Sequence, residues 1–384
     1  MKKIGIITLN GEFNYGNRLQ NFALQKVLNS YNIQVDTIEI KMNKLDKLKK
    51  NLWIGGIHGI NDFNQMLKKN FSKITPSSVE IRNNYKAMKE AKWEIIGQFS
   101  QKNISTFKVE KKHLPHLQQH YDIFIVGSDQ VWNPNIIEFD STHFLDFAPK
   151  EKRYSYSASF GVDQLPKRPD GLKEHYRRYL QQMAYLSVRE ASGVKLVREL
   201  TGKSADVAPD PTLLLSKDEW YCELDITVVK DSCFLLIYFV SEISTEIYQE
   251  IQRFATEKNL SIVQIMGDTF GENRIVADPQ QFVAMIDQAQ YVFTDSFHGS
   301  VFSIIMQTPF FVYERTDHKG VYTRIESLIH QFHMECAIVS VGDDLVIKEN
   351  LFDFNRSERL LKNVRKKGRQ LIEQKILNFS KDEK

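Results

Sequence analysis

Residues 3–40 read KIGIITLNGEFNYGNRLQNFALQKVLNSYNIQVDTIEI, and this stretch decides the fold. Residues 4–9 are mostly β-branched and apolar, which is typical of a strand, and residues 10–16 carry turn formers. Apolar residues then recur at helical spacing until a second β-branched run begins at residue 34. This strand, loop, helix, strand order opens a doubly wound α/β domain, in which ligands bind at the carboxyl ends of the strands. The loop at residues 10–16 is therefore predicted to line a crevice.

The same alternation returns in the second half of the chain, where apolar runs at 233–240, 261–266, 291–294 and 309–313 predict strands with helices between them. The sequence predicts two Rossmann-like domains that face a cleft. Their boundary is placed beside Pro209 and Pro211, which gives domains at 1–210 and 211–384. A helical insertion at about 41–120 is expected in the first domain, and a long amphipathic helix at 357–379 is expected to end the second.

Composition excludes several classes of protein. The 384 residues are 42% hydrophobic and 26% charged, so the chain folds compactly. Its net charge of +3 is too balanced for a surface that tracks nucleic acid, and no nucleic-acid partner is expected. The three cysteines show no C-x-x-C spacing, so we expect a reducing, cytoplasmic location and no zinc site. No run approaches the roughly 20 apolar residues of a membrane-spanning helix, which predicts a soluble protein or one resting on a membrane surface.

Residues 41–73 hold eight Lys and only two acids, interleaved with apolar side chains. One interpretation is a basic amphipathic stretch that lies on an anionic bilayer at the inner face of the membrane. The other is a solvated helical face packed by its apolar side. The oligomeric state is not predicted.

Familiar nucleotide and zinc motifs are absent. The chain has no G-x-G-x-x-G after the first strand, no P-loop, no H-E-x-x-H and no G-x-S-x-G. His113, His116 and His120 suggest a metal cluster by number, but Pro115 breaks their common helical face, so no metal site is predicted.

Polar residues at strand ends remain as candidates. Ser296 and His298 open an apolar helix directly after a strand, with Gly299 and Ser300 beside them, and a helix N-terminus there suits a phosphate or carboxylate. Histidine is the residue type suited to donating or accepting a proton near neutral pH, which makes His298 a catalytic candidate, although a lone histidine is often structural. Arg189 follows another strand and suits the same anions, or else pairs with Glu190 or Glu199.

A turn at Gly127, Ser128 and Asp129 follows a further strand. Trp132, next to it, either stacks on a sugar in the cleft or fills the core.

Five segments in order resemble the polysaccharide pyruvyl transferase family over residues 3–330: NYGNRLQNFAL at 14–24, VGSDQVWN at 126–133, SYSASFG at 155–161, SVRE at 187–190 and DSFHG at 295–299. The resemblance implies a GT-B-like fold, phosphoenolpyruvate as the donor, and a glycan or lipid-linked oligosaccharide as the acceptor. The implied product is a pyruvate ketal formed on a hydroxyl pair. It implies neither a cofactor nor a metal.

The resemblance also implies roles for residues. His298 is the general acid and base, and Arg189 binds the donor. Members of the family often read Arg-Leu-His-Gly where this chain has Ser296-Phe297-His298-Gly299, and Ser296 cannot replace that charge. Either Arg324 or Arg18 supplies it, or the donor differs. The remaining expected contacts fall into two groups: donor contacts at Ser296, Gly299, Ser300 and Arg324, and cleft or acceptor contacts at Asn14, Gly16, Arg18, Gln20, Gly127, Ser128, Asp129, Trp132 and Asn133.

Two other functions stay open on the sequence. A GT-B-like glycosyltransferase would use a nucleotide sugar in the same cleft. A non-catalytic member would bind glycans and would have lost donor binding together with the arginine.

Overall fold

A computed structural model describes residues 2–11, 14–41, 76–137, 140–167, 170–227, 233–265, 274–314 and 319–378. The basic stretch at 41–73, except for residue 41, lies outside the described residues. Within the described part of the chain, no helix is long and apolar enough to cross a membrane.

The first domain is built on a parallel five-stranded sheet in the order β3-β2-β1-β4-β5. Ile4 at the centre pairs with Val35 on one side and Ile123 on the other. Its strands and the helices between them are β1 (Lys3–Ile7), α1 (Tyr15–Asn29), β2 (Gln34–Lys41), α2 (Pro76–Asn103), β3 (Thr106–Glu110), β4 (Ile123–Val126) and β5 (Arg153–Ser155). The strand, loop, helix, strand order read from residues 3–40 is confirmed.

A two-stranded parallel sheet follows, in which β6 (Ser187–Val188) pairs with β7 (Asp206–Val207). Helix α3 (Leu172–Leu180) precedes β6, and helix α4 (Ala191–Thr201) connects β6 to β7. Ala158 bridges to Val188 and Asp129, so this small sheet continues the edge of the first one. The residues after β4, β6 and β7 therefore meet at one edge.

The second domain holds a parallel six-stranded sheet in the order β10-β9-β8-β11-β12-β13. Its elements are α5 (Lys217–Leu224), β8 (Phe234–Tyr238), α6 (Thr245–Glu257), β9 (Ser261–Ile265), β10 (Arg274–Ile275), α7 (Pro279–Gln288), β11 (Tyr291–Thr294), α8 (Phe297–Met306), β12 (Phe310–Tyr313), α9 (Lys319–Phe332), β13 (Ile338–Val339), α10 (Leu345–Glu349) and α11 (Phe354–Leu371). The α/β alternation predicted for this half is confirmed.

Helix α1 joins the cores of the two domains. Almost all of its side chains are buried, which is unusual for a helix on one face of a sheet. The Tyr15 ring stacks on Phe282 of α7 at 4.8 Å, and the Phe22 ring stacks on Trp220 of α5 at 5.8 Å. One apolar cluster thus runs from the first sheet into the second domain and fixes the start of α1 against α8.

Some elements differ from the sequence prediction. The insertion at about 41–120 was expected to be helical, but Thr106–Glu110 is a strand paired with β2. Its residues, TFKVE, alternate polar and apolar side chains, which is a strand signal that the sequence analysis missed in this charged region. The final helix starts at Phe354 and closes with a π turn, Ile372–Ile376. The boundary at 210/211 lies between the two large sheets and stays a prediction.

Candidate active site

Four chain segments meet where the two domains face each other. Asp129 follows β4, Arg189 follows β6, Asp210 follows β7, and His298 lies in the first turn of α8 after β11. All four side chains are less than one tenth exposed. Because parallel strands bring their carboxyl ends to one edge, residues distant in sequence gather here.

Arg189 is surrounded by three carboxylates. Its Nη1 donates to Asp210 Oδ2 at 2.8 Å, its Nη2 lies 3.6 Å from Asp129 Oδ1, and its Nε lies 3.7 Å from Glu190 Oε2. The guanidinium also covers the Phe297 ring at 4.5 Å. Among the described residues, Nε and Nη2 have no hydrogen-bond partner. Burial alone would lower the pKa of Arg189, but the three carboxylates outweigh burial and raise it.

Asp210 is the most buried member of the cluster, with 1% of its surface exposed. Oδ1 accepts from the Thr212 N–H at 3.1 Å and from its hydroxyl at 2.7 Å. Oδ2 accepts from Arg189 and lies 3.3 Å from the Ser128 hydroxyl. Burial favours the neutral acid, but the charges of His298 and Arg189 and the Thr212 donors hold the pKa of Asp210 far below its usual range. The group is therefore a carboxylate.

His298 is held between Asp210 and α1. Its Nε2 lies 3.6 Å from Asp210 Oδ2. The other edge of the ring lies against Gly16, where a Cβ would come within 2.0 Å of Nδ1. Only glycine at position 16 leaves room for the imidazole, and this explains why a glycine suits the second residue of a buried helix.

A hydrogen-bonded polar network lines the first-domain side. Asn17 Nδ2 donates to Asp129 Oδ2 at 3.1 Å, and Gln20 Oε1 accepts from the Ser128 N–H at 3.1 Å. Burial would raise the pKa of Asp129, but the charges of Arg189, His298 and Arg324 and the Asn17 donor lower it. Asn14 caps α1 by accepting from the Asn17 N–H. The Gly127 backbone, at φ +120°, starts the turn that carries these groups.

The start of α8 is occupied by its own cap, contrary to the expected anion site. Ser296 Oγ accepts from the Gly299 N–H at 3.2 Å, and the Ser296 carbonyl accepts from the Ser300 N–H at 3.0 Å. The Ser300 hydroxyl is fully buried and donates to the same carbonyl. Gly299 and Ser300 are therefore structural residues of the helix, because their N–H groups, which were expected to bind the donor, already donate to Ser296.

Of the two arginines considered as replacements for the missing charge, Arg324 lies beside Phe297 of the cluster. Its guanidinium lies 5.9 Å from the Phe297 ring, and the Gln130 amide, with its oxygen turned toward it, accepts from both Nη atoms at 3.2 and 3.0 Å. Asn133 is buried beside Gln130. Arg18 is hydrogen-bonded at the first loop, where its Nε donates to Asn17 Oδ1 and its Nη2 to the Leu9 carbonyl.

Trp132 does not line the cleft. It is fully buried, its ring stacks on Phe144 at 5.9 Å, and its Nε1 donates to the His143 carbonyl at 2.9 Å. The expectation of a stacking platform is wrong and the alternative, a core residue, is right. The indole has its polar atom satisfied inside the first domain, so it has no reason to face water.

Three contributors were missed by the sequence analysis. Asp210 was interpreted only as part of a proline-flanked boundary, Glu190 only as a surface partner for Arg189, and Phe297 not at all. The signal for Asp210 was available, since a carboxylate directly after a short apolar run is another polar residue at a strand end.

Metal ligands do not gather here. His113 and His116 lie on a 3₁₀ helix, Lys111–Gln119, with their rings 6.0 Å apart. Across the described ranges, no group of three or more His, Cys, Asp or Glu is arranged to hold a metal ion.

Comparison with known proteins gives the family. The model of the polysaccharide pyruvyl transferase family matches residues 14–318, well over half of the chain. The chain belongs to the polysaccharide pyruvyl transferase family. The matched region contains the Gly16, Asp129, Arg189, Asp210 and His298 segments, so the cluster lies inside the family region. No curated protein matches the sequence significantly.

Solved structures show the fold. A UDP-N-acetylglucosamine 2-epimerase superposes with a TM-score of 0.51 at 12% identity, covering 100% of this chain and 98% of its own. The S. aureus MnaA-UDP co-structure gives 0.50 at 11%, covering 99% and 97%. Acinetobacter baumannii MurG gives 0.43 at 9%, covering 97% and 98%. The predicted GT-B-like α/β fold, with two Rossmann-like domains facing a cleft, is confirmed.

A methyl group at position 16 tests the placement of His298. We expect Gly16→Ala to displace the imidazole, because a Cβ would lie 2.0 Å from Nδ1, and to cost about 1–3 kcal/mol of unfolding free energy. Urea denaturation measures the cost. Gly193→Ala on α4 is the control, since the nearest atoms to its added Cβ belong to Val188, at 3.2 Å, and Phe160, and not to the histidine. Equal, small losses in both variants would contradict the contact.

Proposed function

We propose that this family member transfers the pyruvyl group of phosphoenolpyruvate to a pair of hydroxyls on a surface-glycan precursor and releases phosphate. The observation that carries the proposal is the placement of His298 beside the buried Arg189–Asp210 ion pair, at the crevice of a GT-B-like fold. The titratable imidazole suits proton transfer, and the guanidinium suits an anionic donor. Membership of the family supports a transferase, and we propose phosphoenolpyruvate as its donor and a pyruvate ketal as its product.

The proposed reaction needs one group that both gives and takes a proton. His298 protonates the methylene carbon of the enol, which leaves positive charge on the adjacent carbon. One acceptor hydroxyl adds to that carbon and loses its proton to the neutral imidazole. The carbon–oxygen bond to the phosphate then breaks and phosphate leaves with the electron pair. The second hydroxyl closes the ketal and gives its proton to the departing phosphate. No redox cofactor takes part in these steps.

Charge balance bears on how the donor is held. Arg189 faces three buried carboxylates, Asp129, Asp210 and Glu190. The charge of Arg324 also acts on Asp129. Arg189 is thus largely neutralised before any anion arrives, and the helix α8 cap offers neither the Gly299 nor the Ser300 N–H. We therefore assign the second positive charge of the donor site to Arg324, on the other side of the crevice. Phe297 lies in contact with both guanidinium groups and holds them at fixed positions.

Removing Arg324 tests the donor assignment. We expect Arg324→Ala to raise KM for phosphoenolpyruvate about tenfold or more, because a charge-assisted hydrogen bond contributes about 1.5–3 kcal/mol. Steady-state phosphate release measures KM. Arg356→Ala, an exposed arginine on α11, is the control. An unchanged KM in Arg324→Ala would remove this residue from the donor site.

Phosphate release from phosphoenolpyruvate, with glycosides that carry neighbouring hydroxyl pairs, tests the function itself. Mass spectrometry of the glycoside should show the added ketal. A nucleotide-sugar glycosyltransferase is the second candidate, and the likeness to a UDP co-structure favours it. If UDP raises the melting temperature and phosphoenolpyruvate does not, the second candidate is correct. If only oligosaccharides raise it, the protein is a non-catalytic glycan binder.

We propose that the reaction takes place in the cytoplasm, since the three cysteines, Cys222, Cys233 and Cys336, are free thiols. Membrane contact through residues 41–73 remains a separate proposal. Flotation with anionic vesicles that is independent of salt would contradict it.

A further inference from the structure

Asp210 connects groups from both domains through a single carboxylate. Oδ1 is fully used by the Thr212 N–H and hydroxyl. Oδ2 faces Arg189 at 2.8 Å, Ser128 at 3.3 Å and His298 at 3.6 Å. The group lies between Pro209 and Pro211, so the backbone that carries it has little freedom. A fixed, buried acceptor thus points one oxygen at the proposed acid–base residue.

The two nitrogens of His298 lie in different surroundings. Nε2 is buried, and among the described residues it has no hydrogen-bond partner within normal distance. Asp210 Oδ2, at 3.6 Å, is the acceptor that it faces. Nδ1 is on the edge of the ring that lies against Gly16, at the N-terminal end of α1. A carboxylate opposite one nitrogen selects the tautomer with hydrogen on that nitrogen and leaves the lone pair on the other.

We infer that Asp210 is the positioning residue of His298: it holds the ring with Nε2–H directed at Oδ2, so that Nδ1 is the atom that gives and takes the proton. This inference rests on the proposed function for the destination of the proton, but the orientation of the ring can be measured without any substrate. It differs from the roles implied by the family resemblance, in which Asp210 has no part.

Other charges around His298 act in both directions. Asp129, after β4, favours the protonated ring together with Asp210. Arg189, after β6, and Arg324, on α9, contact the neighbouring Phe297 ring and oppose protonation. Glu190 lies behind Arg189 and partly neutralises it. Because Arg189 and His298 share Oδ2, an anion that draws Arg189 away would leave that oxygen to the imidazole and favour the protonated acid.

Nitrogen-15 NMR of histidine-labelled protein tests the orientation. The His298 signals are assigned by their loss in His298→Gln. In the ligand-free wild-type protein at neutral or mildly alkaline pH, we expect a protonated Nε2 and an unprotonated Nδ1. The opposite tautomer in the wild-type protein would overturn the inference.

The variant Asp210→Asn then tests the cause. It keeps the acceptor for Thr212 but removes the charge, so we expect a mixture of tautomers and a transition to the neutral ring at lower pH than in the wild-type protein. Glu250→Gln is the matched control, since it removes a buried carboxylate of the second domain that accepts from Tyr313 and the Gly342 N–H. A folded Asp210→Asn protein with the wild-type tautomer and transition would overturn the inference.

Turnover separates this inference from the proposed function. If phosphoenolpyruvate is a substrate, Asp210→Asn should lower kcat about 100-fold, and the fall in rate with rising pH should move to lower pH. Asp210→Glu, which restores the charge, should recover part of kcat. If the wild-type protein does not turn over phosphoenolpyruvate while the NMR results hold, the proposed function fails and the positioning role stands. A wild-type pH profile of kcat in Asp210→Asn would count against the role.

Discussion

His298→Ala should lower kcat for phosphate release by about 1,000-fold while the protein stays folded. Imidazole is the side-chain group whose ordinary pKa lies near neutral pH, and the reaction proposed here needs both proton donation and proton removal. Asp129 and Asp210 cannot take its place as acids, because the pKa values of both are held below their usual range. Steady-state kinetics on the purified variant measures the loss.

The matched control is His330→Ala. His330 is also a histidine of the second domain, but its side chain is 62% exposed and pairs with Glu335. It should keep wild-type kcat. Because removing the ring leaves a space between Gly16 and Asp210, added imidazole should restore part of the His298→Ala activity. Wild-type kcat in His298→Ala would rule out the acid–base role and would leave His298 as a packing residue.

Much of the site could be predicted from the sequence, because parallel sheets gather the carboxyl ends of their strands. Arg189 follows an apolar run directly, Asp129 follows one within three residues, and His298 follows one within four. Placing each run as a strand was enough to bring these three side chains to one crevice. Gly16 belongs with them because the first loop leads into α1 at the same edge.

What the sequence could not supply was the pairing of groups across the domains. Asp210 contacts His298, 88 positions away, and nothing local marks that contact. The prolines that flank Asp210 are compatible with a domain boundary, but they also restrict the backbone that carries the carboxylate beside His298. Phe297 carries no polar signal, although its ring contacts both arginines.

Local patterns also cannot tell which face a residue takes at a turn. Trp132 was compatible with the cleft or the core, and only the surrounding aromatic rings place it in the core. Likewise, the small polar residues at the start of α8 read equally well as an anion site and as a helix cap. The structure shows that the helix uses these donors itself.

Arg189→Met should lower the unfolding free energy by about 3–5 kcal/mol at pH 8, because it leaves three buried carboxylates without their cation. In the wild-type protein the depressed pKa values of Asp129 and Asp210 contribute stability that is present above the ordinary carboxyl pKa and is lost on acidification. Without the guanidinium, burial is opposed only by the remaining charges and donors, so the pKa values of both carboxylates rise relative to the wild-type protein. On acidification the folded variant then takes up protons before the folded wild-type protein does, so its stability deficit should be smaller at pH 5 than at pH 8.

Arg153→Met separates this charge effect from the loss of a buried arginine in general. Arg153 is also buried, but it donates to the Ala148 and Asp146 carbonyls and to Gln182, with no carboxylate among these partners. Its loss should cost stability equally at both pH values. Arg189→Lys, which keeps the charge but cannot reach three carboxylates at once, should fall between wild type and Arg189→Met. Urea denaturation at pH 5 and pH 8 measures the unfolding free energy of each variant. A loss of unfolding free energy in Arg189→Met that is the same at both pH values would mean that the carboxylates do not depend on Arg189 for their charge.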